Sequence, residues 1–153
     1  GSIAHESRLY GDLTPRENLH LFGVLYELKD LPHRIPQALQ DVQLSHAIDL
    51  PVNTFSSGMT KRTAIARLLL QRPKLLLLDE PYTGLDQNSV RWFQEYLIDF
   101  KNQGGTLLLV THQLELGLEL ATRVLLLNQR KIVKDQSSSM MNLSECQQWL
   151  SQS

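Results

Sequence analysis

Two adjacent acids, Asp79 and Glu80, follow four consecutive leucines, residues 75–78. An apolar run of that length, stopped by charge, reads as a buried strand. Parallel sheets bind their ligands in the crevice at the carboxyl ends of the strands, so acids emerging there are placed for chemistry. One carboxylate at such a point can hold Mg²⁺, usually through water, while its neighbour polarises an attacking water. Apolar strands also end in exposed acids without any ligand, so the pair weighs little alone.

Three further stretches bear on the same edge. Phe55-Ser56-Ser57-Gly58-Met59 precedes the strand and opens a helix. The Ser56 hydroxyl and the Gly58 amide can therefore face an anion at a helix N-terminus. A serine cap with no ligand explains the same residues equally well. Thr83-Gly84-Leu85-Asp86 follows the acids, and a turn into a helix capped by Asp86 accounts for it locally. His112 ends the next apolar run, 106–111, and would lie on the edge of Asp79 and Glu80 if the strands are parallel. Each stretch has a plain structural explanation; their order favours one joint explanation over four separate ones.

The elements that must position these residues are legible from spacing. Thr14-Pro15-Arg16-Glu17 reads as a capped helix start, with Leu21, Val24, Leu25 and Leu28 following at helical intervals. Prolines 32 and 36 break that pattern and leave a short helix around Gln37 to Val42. Ala64, Ile65, Leu68 and Leu69 make a helix that Pro73 stops. Strands and helices then alternate: a strand at 75–78, a helix around 87–103, a Gly104-Gly105 break and a strand at 106–111. A helix around 114–121, a strand at 124–127, a turn at 128–130 and a short strand at 131–133 follow. Residues 137–142 read as a linker and 142–150 as a closing helix. Alternation of this kind implies an α/β fold with a parallel sheet.

Composition narrows the function classes. The chain has 153 residues, 42% of them hydrophobic, enough for one domain with a real core. Fifteen basic residues against 16 acidic give a net charge of -1, which offers no electrostatic footprint for nucleic acid. The one cysteine, Cys146, has no partner for a disulfide and no nearby base, and reads as structural. No run approaches the ~18–20 apolar residues of a membrane span, so any membrane link is expected to pass through a partner. Gly1-Ser2 reads as a cloning remnant and is left out of the expected fold.

Taken in order, these motifs resemble the ATP-binding-cassette (ABC) ATPases. Residues 55–59 match the family's signature motif, and 75–80 match its Walker B strand with the catalytic glutamate. Residues 83–86 match its D-loop, and His112 its switch histidine. Gly11 to Asn18 look like the start of its helical subdomain, with wording similar to exporter-type cassettes, including the haem-exporter ATPases. The resemblance implies a partial P-loop NTPase (RecA-like) parallel sheet flanked by helices, plus an ABC helical subdomain. It divides the chain into residues 3–72 (Q-loop region and helical subdomain), 73–136 (RecA-like core) and a tail, 137–153. It implies that Asp79 holds Mg²⁺ through water and that Glu80 acts as general base. His112 would contact the γ-phosphate of ATP, while Ser56, Ser57 and Gly58 bind the γ-phosphate held by a second ATPase subunit. Asp86 would communicate across that head-to-tail dimer. A transmembrane permease is the implied partner, with the subunit peripheral on the cytoplasmic face of a bacterial membrane.

Three departures from the family pattern stand out. Phe55, Ser57 and Met59 replace three of the five signature residues Leu-Ser-Gly-Gly-Gln. Glu6 falls where the family has its Mg²⁺-sensing glutamine; a carboxylate can ligate Mg²⁺ but adds charge and loses a donor. The phosphate cradle G-x-x-x-x-G-K-[ST] is absent, since none of the eight glycines is followed by lysine. The adenine-stacking aromatic, which lies upstream of that loop, is expected to be missing with it. Without that nest and its lysine, most of the attraction for a triphosphate is gone. The expected function is therefore the C-terminal part of a transporter's ATPase subunit, inactive alone and prone to self-association through an unpaired sheet edge and a half-covered face. The alternatives are a non-catalytic degenerate cassette that docks to a partner, and an ABC ATPase outside transport.

Overall fold

The computed structural model describes residues 2–3 and 9–151, and the chain divides into two compact units, Gly1–Leu109 and Val110–Ser153. The first unit opens with a two-residue strand, β1 (Ser2–Ile3), and then builds three helices: α1 (Pro15–Leu25), α2 (Leu31–Asp41) and α3 (Ser57–Gln71). Strand β2 (Leu75–Asp79), helix α4 (Gln87–Asn102) and strand β3 (Thr106–Val110) follow.

Helix α1 begins as its sequence requires. The Thr14 hydroxyl accepts from the Glu17 amide at 3.2 Å, and the Glu17 carboxylate accepts from the Thr14 amide at 2.8 Å, with Pro15 filling the first turn. The Thr14 amide and then its hydroxyl hold the Glu17 carboxyl below its ordinary value of 4.5. A carboxylate lowered on folding stabilises the fold above the unfolded pKa, and the contribution disappears as pH falls through the lower folded value. Thr14→Ala is therefore expected to cost about 1 kcal/mol at neutral pH, the usual size of an N-cap. Alanine keeps the amide that is the larger cause of the Glu17 shift, so most of the acid-unfolding limb is expected to persist, which urea titrations across pH would read.

Helix α2 corrects an expectation. Prolines 32 and 36 were expected to confine this helix to residues near 37–42, yet it starts at Leu31. Pro32 sits in the first turn, where no amide is needed, while Pro36 sits inside the helix at the cost of one hydrogen bond. That cost is offset because the longer helix buries Leu31 and Ile35 together with Ala38 and Leu39. Helices α1, α2 and α3 pack on one another around Leu19, Leu39 and Ile65, each fully buried. Helix α3 ends at Arg72, which turns left-handed (φ +48°) just before Pro73.

The sheet has the order β1-β2-β3, with β1 parallel to β2. Ser2 pairs with Leu77 and Ile3 with Leu78, so Ser2 belongs to the sheet although the sequence reading left it out. Alternation along β2 separates two faces. Leu76 and Leu78 are buried, whereas Leu75 and Leu77 are 46% and 44% exposed. Leu108 of β3 is exposed as well.

In the second unit, α5 (Leu114–Leu120) is followed by β4 (Arg123–Asn128), β5 (Lys131–Ser137) and α6 (Leu143–Ser151). Strands β4 and β5 form an antiparallel hairpin of their own, so the strand expected at 124–127 does not extend the three-stranded sheet. Its two-residue loop, Gln129-Arg130, has both residues at positive φ, the geometry that suits a tight hairpin. Strand β5 is also longer than the expected 131–133, tied by a forked pair between Arg123 and Asp135 (2.6 and 2.7 Å). Helices α5 and α6 pack together, with Leu120 and Cys146 buried; burial pushes the Cys146 thiol up. Among the described residues, no helix is long and apolar enough to cross a membrane.

Candidate functional site

Asp79 is the last residue of β2, and Glu80 leaves the strand with φ +45°. A left-handed backbone at a residue other than glycine costs about 1–2 kcal/mol, so something must hold it. The Glu80 carbonyl accepts from the Thr83 amide at 3.3 Å and from the Lys61 ammonium at 3.1 Å. A hydrogen bond from a charged donor contributes about 1.5–3 kcal/mol, the same order as the backbone cost. Lys61 is half-buried, and burial lowers its pKa while the charges of Asp79 and Glu80 oppose that shift.

The turn from Glu80 to Asp86 also touches the start of α3. Gly84 has φ +80°, a conformation that favours glycine. A Cβ on Gly58 would come within 3.1 Å of the Gly84 carbonyl, so the two loops meet backbone to backbone. Ser56 caps α3 by accepting from the Met59 amide at 3.3 Å, and Ser57 is the first helical residue. Asp86 caps α4: its carboxylate accepts from the Ser89 amide at 2.9 Å and from the Ser89 hydroxyl at 3.1 Å. The Ser89 amide, the Ser89 hydroxyl and then the charge of Arg62 hold the Asp86 carboxyl below its ordinary range.

Six of the residues singled out in the sequence are therefore gathered in the first unit. Ser57 and Gly58 adjoin the turn that Asp79 and Glu80 enter, and Asp86 closes that turn. Ser56 stands beside them but spends its hydroxyl on the α3 cap. His112 belongs to the second unit, exposed between β3 and α5, where its carbonyl accepts from the Leu114 amide. Glu6 lies outside the described residues. Sequence reasoning missed Lys61 and Arg62. The available signal was spacing, because Lys61 follows Ser57 by four residues and shares its helix face.

A family model described as ABC transporter matches residues 1–83. The chain belongs to the ABC transporter family. This bears out the resemblance to that family. The ABC chain is 35% identical over 137 residues to the Nod factor export ATP-binding protein I of Rhizobium meliloti, covering 88% of this chain and 41% of that protein. It is 39% identical over 111 residues to the cytochrome c biogenesis ATP-binding export protein CcmA of Salmonella typhi, covering 72% of this chain and 52% of that protein. The chain thus spans about half or less of the length of these relatives. A solved ATP-binding subunit of an ABC transporter superposes with a TM-score of 0.82 at 25% identity, over 98% of this chain and 61% of that one. A dimeric ATP-binding cassette in a post-hydrolysis state, bound to ADP and Pi, superposes at 0.80 over 90% of this chain and 62% of its own; at 22% identity that likeness speaks for the fold. The α/β cassette fold with a parallel sheet is the one read from the sequence.

The residues present fit the family's nucleotide only in part. Asp79 is an exposed single carboxylate, and among the described residues no group of three or more His, Cys, Asp or Glu could hold a metal ion. Such a donor set suits a cation whose other ligands are water and phosphate. A backbone cradle for that phosphate is not encoded in these 153 residues. The arrangement presents two adjacent carboxylates and a helix N-terminus beside one turn.

Proposed function

We propose that these residues are the hydrolysis side of an ATP-binding subunit that powers a membrane permease, the phosphate-binding loop being supplied by sequence outside them. ABC ATPases hydrolyse ATP, and the observation that carries the reading here is the meeting of Ser57 and Gly58 with the Asp79–Asp86 turn. In this reading Glu80 orients the attacking water, and Asp79 and Glu6 serve Mg²⁺. His112 contacts the γ-phosphate. Ser56, Ser57 and Gly58 meet the nucleotide of a second subunit, and Asp86 faces that subunit. Residues 3–72 carry the helical subdomain, 73–136 the core and 137–153 the tail. The names of the relatives support export as the direction of transport and a bacterial membrane as the setting.

The test is turnover. The 153-residue chain alone is expected to show no ATP hydrolysis above background, while a chain joining it to a G-x-x-x-x-G-K-[ST] loop hydrolyses ATP. Steady hydrolysis by the 153 residues, lost on Glu80→Gln, would sink the proposal.

In isolation, the exposed row of Leu75, Leu77 and Leu108 is expected to drive the chain to self-associate, with a second copy covering that face. Sedimentation at rising concentration reads this, and a clean monomer throughout would count against it.

A further inference from the structure

We propose that Lys61 is a positioning residue that clamps the Glu80 main chain to α3, so that the helix start and the water-orienting carboxylate move as one body. The inference rests on the ATPase reading for its consequence, and on geometry for its substance.

Glu80 is the pivot of the turn after β2. It sits at φ +45°, and its carbonyl takes both the turn's own hydrogen bond from Thr83 and the one from Lys61. The first of these is local and 3.3 Å long; the second, at 3.1 Å, ties the Glu80 carbonyl to α3. Lys61 projects from the second turn of α3, the helix whose first residues are Ser57 and Gly58. Lys61 is half-buried, so its ammonium is partly withdrawn from water where it meets the Glu80 carbonyl. Gly58, having no Cβ, lets the Gly84 carbonyl lie close against the start of α3, where any larger residue would crowd it. The turn and the start of α3 thus lie side by side, and Glu80 cannot swing away without breaking its bond to Lys61. A shift of the α3 start on meeting a phosphate would then be passed to the Glu80 main chain, and from there to the direction of its carboxylate.

The experiment is amide hydrogen exchange on the 153-residue chain, with Lys61→Met keeping the stem and Lys61→Arg keeping a charged donor. Lys61→Met is expected to speed exchange of the Thr83 and Leu85 amides about tenfold, with Ile65 and Leu68 of α3 unchanged and with Lys61→Arg restoring the turn to within about twofold. No change at Thr83 and Leu85 overturns the proposal. So does equal acceleration along α3, which would make Lys61 ordinary packing, and so does failure of arginine to restore the turn. In a chain joined to the phosphate-binding loop, Lys61→Met should lower kcat about tenfold at unchanged KM for ATP, with arginine recovering most of it. If the joined wild-type chain shows no ATP turnover, the functional reading fails while the exchange pattern still decides the clamp.

Discussion

Glu80→Gln, in a chain joined to a phosphate-binding loop, is expected to lower kcat for ATP hydrolysis about 10²–10⁴-fold, the usual contribution of a general base. That range corresponds to roughly 3–5 kcal/mol of transition-state stabilisation. The amide is nearly isosteric with the carboxylate but cannot take a proton from water. The link to Lys61 runs through the Glu80 carbonyl and not the side chain, so the backbone of the turn stays in place. ATP binding should therefore survive, and equilibrium dialysis beside steady-state hydrolysis separates the two effects. A loss below tenfold would remove Glu80 from the role of base.

Phe93→Ala is the substitution with the largest expected cost to stability, about 3–5 kcal/mol. Phe93 is fully buried at the middle of α4. Its ring meets Tyr82 edge-on at 6.1 Å and stacks with Trp92 at 6.1 Å and Tyr96 at 6.2 Å. Tyr82, also buried, donates its hydroxyl to Gln94 on the next residue of the helix. Removing the ring opens a cavity under the turn that carries the acids, and exposes that hydrogen bond to water. A domain of ordinary stability, about 5–15 kcal/mol, would lose much of its margin. Urea unfolding of the variant beside Phe93→Leu, which keeps most of the volume, would show whether the loss scales with the cavity.

The stretch that carries the candidate site was legible because its residues speak through local rules. A leucine run stopped by two acids, a serine before a helix and an aspartate before the next each name their element, and each is found where its rule places it. The long α2 was not legible, because proline penalties are local while the burial of Leu31 and Ile35 that overrides them depends on α1 and α3. The separate β4–β5 hairpin was hidden for a related reason. Residues 124–127 look like any buried strand, and only pairing decides whether they join a parallel sheet or fold back on β5. Lys61 was missed because a lysine at a helix surface is ordinarily solvated; its bond to the Glu80 carbonyl follows from how α3 lies against the turn.

Gly105, just before β3, has the Phe100 ring lying where its Cβ would be. The pair restricts how this sequence can drift. A side chain at position 105 collides with the ring as long as Phe100 stays, whereas a smaller residue at position 100 is tolerable with glycine still in place. Substitutions at these two sites are therefore easier in one order, the ring shrinking before the glycine is lost.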